Sequence, residues 1–369
     1  MIITEYHSSE EIPTPAFMLD STTVRRNIQQ LADYAAGHGI NVRPHTKTHK
    51  MRLLAEMQLD AGATGITVAK ISEAEVISSP DFDVLVAYPP IGRSRASRLA
   101  TLARDRTIRA AIDSMAAIEE MSAAARTANT TVGLLVEIDV GMGRTGVASP
   151  SATLPLAQAI DRAPNVRLDG IMIYPGHIWE RVDRQDGPQR AVDVLLEQTI
   201  DLWSQHGLAA AIVSGGSTPT AYQSHLVRHL TEIRPGTYIF NDMNTVRGGY
   251  CSLADCAARV IATVISDAVA GQVVIDAGSK TLSSDLCLPA KDQGHGYIVE
   301  YPEARITRLS EEHGQVDISA CDARPAIGER VTVIPNHICP CVNLQESVWW
   351  ATPDEPLCSM FIDARGKIQ

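Results

Sequence analysis

Ile40-Asn41-Val42-Arg43-Pro44-His45-Thr46-Lys47-Thr48-His49-Lys50 joins a short apolar run to a cluster of cations. The first three residues read as a β-strand and the remainder as the loop that follows it. Helical text flanks the stretch on both sides. Before it, Val24, Ile28, Leu31 and Ala35 recur at helical spacing after the start signal Asp20-Ser21-Thr22. After it, Leu54 and Met57 mark a helix over residues 50–61, with Lys50 at its solvent-facing start. Strand, loop and helix in succession form the unit of an α/β fold.

The chain repeats that unit. Apolar runs at residues 66–68, 84–86, 108–111, 132–138, 168–173, 211–213 and 237–239 alternate with helical stretches. Ser72-Glu73-Ala74-Glu75 reads as a capping box. Ser114 opens a helix carrying Met115, Ile118 and Met121, and Val192, Leu195, Leu196, Ile200 and Trp203 form the apolar face of a long helix over 189–206. Helical text also covers 221–230. Eight strands in about 200 residues predict an α/β fold with a (β/α)8 TIM-like barrel over residues 14–245, rather than an open doubly wound sheet. Beyond residue 246 helical periodicity fades. Runs at 260–265, 273–275, 297–299, 331–334 and 348–350, separated by turn residues, predict a smaller mainly β domain over 246–369, with residues 1–13 as candidates to join it.

Composition narrows the partners. The 369 residues carry a formal charge of −11 and no long basic run, which argues against nucleic acid or an anionic membrane surface. No apolar run approaches a membrane span of about 18 residues, and Met1-Ile2-Ile3-Thr4-Glu5 lacks the features of a signal peptide. The seven cysteines, all at or after Cys251, make a poor disulfide framework and fit reduced thiols in the cytoplasm.

Reactive groups of a barrel collect where strands end and loops begin. Lys47 follows the first strand. Gly141-Met142-Gly143-Arg144-Thr145-Gly146 follows the fifth, after Glu137 and Asp139. Tyr174-Pro175-Gly176-His177 follows the sixth, and Ser214-Gly215-Gly216-Ser217-Thr218-Pro219 follows the seventh. The last of these resembles an anion cradle, in which glycines allow close backbone approach and hydroxyls add donors. Arg234-Pro235-Gly236-Thr237, beside the eighth strand, adds further amides. A lysine, a phosphate cradle and an arginine at one barrel face point to pyridoxal 5'-phosphate, held covalently by the lysine and ionically by the loops.

Several motifs in order make the chain resemble the fold-type III pyridoxal enzymes that include D-serine dehydratase and D-threonine aldolase. They are Pro13-Thr14-Pro15-Ala16, the stretch quoted above, Ser72-Glu73-Ala74, Glu137-Ile138-Asp139 with Gly143-Arg144, and Gly216-Ser217-Thr218-Pro219. Arg234-Pro235-Gly236-Thr237-Tyr238, Glu312-His313-Gly314 and Pro335-Asn336-His337-Ile338-Cys339 complete the set. The resemblance implies an alanine-racemase-like barrel followed by a β domain, assembled as a homodimer. It implies that Lys47, not Lys50, forms the Schiff base and that Arg144 approaches the phenolic oxygen of the cofactor. Tyr174 would sit near the ring, while Gly216, Ser217, Gly236 and Thr237 would grip the phosphate.

His337 and Cys339 form the second informative pair. In a strand, residues two apart point the same way and could share an ion. By the resemblance this pair falls where the family holds its catalytic metal. A thiolate favours zinc, with manganese as the alternative; Cys341 reads as a buried structural cysteine. The implied activity is a lyase acting on D-3-hydroxy amino acids, by β-elimination to a 2-oxo acid and ammonia. The alternative is retro-aldol cleavage to glycine and an aldehyde, with His313 as a candidate base; Pro340 and Asn343-Leu344 lean that way. An amino-acid racemase has no use for His337 and Cys339, and a non-catalytic pyridoxal-phosphate carrier has no use for the second domain.

Overall fold

The computed structural model describes residues 2–6, 9, 11–287, 294–353 and 355–369. The chain forms two compact units. One comprises Gln29–Lys47, Met51–Gly236 and Lys367–Gln369; the other comprises Met1–Ile28, Thr48–Lys50 and Thr237–Gly366.

Strand β1, Ala16–Asp20, belongs to the second unit. The first unit carries β2 (Asn41–Val42), β3 (Ile66–Val68), β4 (Asp83–Val86), β5 (Thr107–Ile112), β6 (Val132–Glu137), β7 (Val166–Met172), β8 (Ile212–Gly215) and β9 (Glu232–Ile233). All pair in parallel, in the order β2-β9-β8-β7-β6-β5-β4-β3. A parallel bridge between His45 and Thr67 closes the sheet on itself. It is held by the Thr46 and Thr67 N–H groups, which donate to the Thr67 and Pro44 carbonyls, each at 2.8 Å. Strands covered on both faces are apolar nearly throughout, as the six buried residues of β6 show. The surrounding helices are locally well specified. Ser114 and Ser149 cap Met115–Ala128 and Pro150–Arg162, and Asn129 closes the former in the left-handed conformation. Trp203, fully buried in helix Asp186–Gln205, donates its indole N–H to Thr153 Oγ1 at 2.8 Å and ties two neighbouring helices together.

Part of the barrel interior is charged. Arg43 Nε lies 2.9 Å from both Glu232 oxygens, and its terminal nitrogen lies 2.8 Å from Asp83 Oδ1. Arg109 bonds to the same Asp83 carboxylate and reaches Asp169 Oδ2 at 2.6 Å. Gly133 makes room for this layer: a Cβ there would stand 2.1 Å from Asp169 Oδ2. Arg43 and Glu232 are almost wholly removed from water, so removing one partner strands the other's charge. Arg43→Met is expected to cost about 3–5 kcal/mol of unfolding free energy, measured by urea denaturation. A loss below about 1 kcal/mol would show that water reaches this layer.

Four sequence expectations need correction. The eighth barrel strand is Glu232–Ile233; residues Thr237–Ile239 form a 3-10 turn. Pro235 has no N–H for the ladder, so pairing ends before it despite the β-branched text beyond. Residues Ala221–Leu226 are also 3-10 rather than α-helical. Lys50 does not open a helix in solvent: its helix begins at Arg52, its φ is 56°, it is buried, and its Nζ donates to the Ala364 carbonyl at 3.4 Å. The helix expected to start at Ser72 begins at Ile71 after an extended Lys70. Glu73 accepts the Ala69 and Lys70 N–H groups at 2.8 and 3.2 Å, whereas Ser72 lies within the helix and donates to the Gln369 carbonyl at 2.7 Å.

The second unit holds a nine-stranded sheet. Its later strands are β10 (Ala258–Ser266), β11 (Gln272–Ile275), β12 (Tyr297–Ile298), β13 (Arg305–Leu309), β14 (Gly314–Asp317), β15 (Arg330–Ile334), β16 (Ser347–Ala351) and β17 (Cys358–Phe361). The order β13-β14-β11-β10-β1-β16-β17 places β1 centrally, antiparallel to β10 and parallel to β16; β15 joins β10, and β12 joins β15. Among the described residues no helix is long and apolar enough to cross a membrane.

Candidate active site

In the barrel unit the loops after β2, β9, β8, β7 and β6 are neighbours, because those strands are neighbours in the sheet. They carry Lys47, Gly236, Gly216 with Ser217, Tyr174 and Arg144 respectively. The first two loops are joined directly, since the His45 N–H donates to the Pro235 carbonyl at 3.0 Å. Lys47 is half-buried one residue beyond the Thr46–Thr67 contact. Arg43, at the start of the cationic stretch, turns to Glu232 and Asp83 and has no place among these loops.

Asp139 builds the loop that presents Arg144. Its Oδ1 accepts the N–H groups of Gly141, Met142 and Gly143 at 3.1, 2.8 and 3.1 Å. Gly141 and Gly143 have φ of 125° and 66°, a backbone that side chains oppose, and a Cβ on Gly141 would stand 2.9 Å from the His177 ring. The Arg144 guanidinium lies over the Tyr174 ring, 4.6 Å from its centroid. Below them, buried Glu137 accepts from Thr145 Oγ1 at 2.8 Å; burial raises its pKa, against the opposing effect of that bond and of Arg234 and Arg144.

Arg234 is fully enclosed. Its two terminal nitrogens donate to Ser214 Oγ and the Ile173 carbonyl, each at 2.8 Å. Burial lowers its pKa to about 10, against the pull of Glu232 and Glu137. Its Nε is buried without a hydrogen-bond partner among the described residues. A buried donor left unmatched costs free energy unless a further group meets it. Gly216, with φ of 80°, leaves its main chain open to a ligand, and a Cβ there would crowd Ile233 at 3.1 Å. Ser217 is buried and its hydroxyl lies 3.1 Å from Thr220 Oγ1. An unmatched cationic donor beside a side-chain-free turn fits a polar, anionic cofactor.

The second unit carries the other candidates. His337 does not sit in a strand. It is the extended residue before helix Ile338–Leu344, so strand alternation is not what pairs it with Cys339. β15 ends at Ile334 and Pro335 stops the ladder; Pro340 is tolerated in the first helical turn, where its missing N–H is not needed. The two residues nonetheless share one helix start, two positions apart, and Cys339 is among the groups that favour the charged form of His337. His337 Nδ1 lies 2.7 Å from Asp285 Oδ2. Cys339 Sγ lies 3.3 Å from Thr48 Oγ1 and 3.8 Å from Thr237 Oγ1. Burial opposes the charged form of His337, but Cys339, Asp242 and Asp285 outweigh it and raise the pKa to about 9. Buried Asp242 fixes the segment: one oxygen caps its own helix at the Thr245 N–H, and the other accepts the Ile338 N–H, each at 3.0 Å. Cys341 is buried and donates to the Leu282 carbonyl at 2.9 Å, and burial pushes its pKa up.

His313 is exposed in the turn between β13 and β14, where its carbonyl accepts the Ser310 N–H at 3.0 Å. Sequence reasoning missed Asp242, Asp285 and Thr48. Asp242 had a signal, because Asp-Met-Asn-Thr is a helix-start pattern. Asp285 had none, being brought to His337 only by the fold.

A closed parallel barrel with a lysine on its first loop and a buried arginine on its last, together with a mainly β unit, defines the architecture of alanine-racemase-like enzymes. Residues 19–244 match the family "Alanine racemase, N-terminal domain", and residues 257–350 match "Putative serine dehydratase domain". The chain belongs to the fold-type III pyridoxal-phosphate lyases that include D-serine dehydratase and D-threonine aldolase. It is 30% identical to the 3-hydroxy-D-aspartate aldolase of Paracoccus denitrificans, over 91% of this chain and 88% of that one. It is 31% identical to the D-threo-3-hydroxyaspartate dehydratase of Delftia sp., over 89% and 91%; a variant of that dehydratase solved in a metal-free form superposes with a TM-score of 0.87, at 26% identity over 95% and 97% of the chains. The D-threonine aldolase of Filomicrobium marinum superposes with a TM-score of 0.88, at 29% identity over 97% of each chain.

Proposed function

We propose that this protein is a pyridoxal-phosphate- and metal-dependent lyase of D-3-hydroxy amino acids, and that it eliminates the 3-hydroxyl to give a 2-oxo acid and ammonia. The observation that carries this reading is the shared helix start, fixed by Asp242, on which His337 and Cys339 stand two residues apart, a histidine and a thiol that would serve as two ligands to one ion. Two protein ligands leave positions for a substrate hydroxyl and water, and the thiolate favours zinc, with manganese as the harder alternative. An ion held by His337 and Cys339 would supply Lewis acidity for a departing hydroxyl.

Lys47 would hold the cofactor. Gly216, Ser217, Gly236 and Thr237 would hold its phosphate, and Arg144, braced over Tyr174, would meet its phenolic oxygen. The Arg234 Nε supports the assignment, because the cofactor offers the polar partner it lacks. Pyridoxal phosphate supplies the electron sink that makes the substrate Cα–H acidic. Lys47 Nζ, released when the substrate amine takes its place, would then accept the Cα proton and return it to the departing hydroxyl. The 3-hydroxyl leaves as water, and hydrolysis of the resulting enamine gives the 2-oxo acid and ammonia. The working protein is a homodimer, checked by light scattering on the purified protein.

The second reading is cleavage of the Cα–Cβ bond, favoured by the aldolases among the relatives. There a base takes the 3-hydroxyl proton, and His313 is the residue proposed for it. Incubation with D-serine and D-threonine separately, with zinc or manganese added, decides between the two. Elimination gives pyruvate from D-serine. Glycine and acetaldehyde from D-threonine, with no pyruvate from D-serine, would establish the aldolase.

A further inference from the structure

We infer that Asp285 is the positioning residue of the metal site: it holds the Nδ1 side of His337 and leaves Nε2 as the only nitrogen the ring can offer an ion. The inference rests on the metal reading above and extends it to a residue that no sequence motif marks.

An imidazole has two nitrogens, and the bond made by one decides which of them can ligate. Here Nδ1 is engaged by Asp285 Oδ2 at 2.7 Å. The contact is built rather than incidental, because two consecutive residues of the metal segment address Asp285. Asn336 is buried, and its Nδ2 donates to the Asp285 carbonyl at 3.0 Å, while His337 takes the carboxylate. The Asn336 Oδ1 is in turn held by Cys287 Sγ at 3.0 Å. On the other side, Ser283 adopts a φ of 60°, and its hydroxyl accepts the Asp285 N–H at 3.3 Å. Asp285 is thus fixed by its own turn and by the segment it orients.

With its Oδ2 engaged by Nδ1 at 2.7 Å, the Asp285 carboxylate stands on the side of the ring away from Nε2. There it fixes the tautomer and raises the basicity of Nε2. Cys339 has its own supports in the Thr48 and Thr237 hydroxyls, so each of the two ligands is held from behind.

The side chains of His337 and Asp285 are 39% and 49% exposed. An ion pair that open to water contributes little to folding, so the role is orientation and not stability. The test uses purified full-length protein stripped of metal and titrated with zinc against a chromophoric chelator. Asp285→Ala is expected to weaken zinc binding about 10–100-fold while the melting temperature stays within about 2 °C. Asp285→Asn keeps an oxygen for the Nδ1–H and should recover part of that affinity. His337→Ala should abolish binding at this site. If Asp285→Ala binds zinc within about threefold of the parent while His337→Ala does not bind, the inference fails and the metal reading stands. If zinc affinity is indifferent to His337→Ala and Cys339→Ala, the metal reading fails and takes the inference with it.

Discussion

Lys47→Ala is expected to abolish turnover, lowering kcat by about 10³-fold or more, and to remove the visible absorbance of the cofactor-loaded protein. Both effects follow from one atom. Nζ is assigned to hold the cofactor and to move the Cα proton, so its loss removes attachment and proton transfer together. The expected structural cost is small, because Lys47 is half-buried in a loop whose closing bonds are made by the backbone of His45 and Thr46. Folding should therefore survive, and circular dichroism would confirm it. Added methylamine should restore part of the proton-transfer rate but not the covalent attachment. Lys50→Ala is the control. Its Nζ is turned to the Ala364 carbonyl, within the compact unit that holds both residues, so the variant should retain the absorbance. Absorbance that survives Lys47→Ala and disappears with Lys50→Ala would reverse the assignment.

Cys339→Ala should lower turnover by about 10²–10³-fold, the several kcal/mol expected of a Lewis acid at a poor leaving group. A chelator applied to the parent protein should cause the same loss, and zinc should reverse it. The cofactor absorbance should remain in both cases, which separates loss of metal from loss of cofactor. Cys339→Asp replaces a soft ligand by a hard one and should move the metal preference from zinc toward manganese. A racemase has no step for which it needs this pair. Full activity after chelation, with substrate configuration inverted and no ammonia released, would move the protein to that class.

Much of the fold was legible because its signal is local. Short apolar runs such as Ile66-Thr67-Val68 announce strands that are buried on both faces, and caps such as Ser114 announce the helices between them. The errors came where distant residues decide. Glu232-Ile233 does not look like a barrel strand until Arg43 neutralises the glutamate, and Thr237-Tyr238-Ile239 looks like one until Pro235 is weighed. Arg43 reads in the sequence as a neighbour of Lys47 in one cationic cluster, yet it is a buried member of the barrel's ionic layer. The weakly apolar hairpin of β13 and β14 gave little signal, since most of β13 faces water.

The site was legible residue by residue and not as geometry. Lys47, Gly216 and Tyr174 fall on neighbouring barrel loops, as the strand order requires. His337 and Cys339 share a helix start held by Asp242, not the strand that the two-residue spacing suggests. Asp285 lies too far along the chain for any spacing rule to reach.

The central claim is that Lys47, in the stretch between the first barrel strand and helix Arg52–Asp60, carries pyridoxal phosphate. Borohydride reduction of the cofactor-loaded protein, followed by proteolysis and mass spectrometry, tests it most directly. The expected result is a single phosphopyridoxyl group on the peptide containing Lys47, with fragmentation placing it on that residue. A label on Lys50 or another lysine, or no label on protein that has bound the cofactor, would contradict the account.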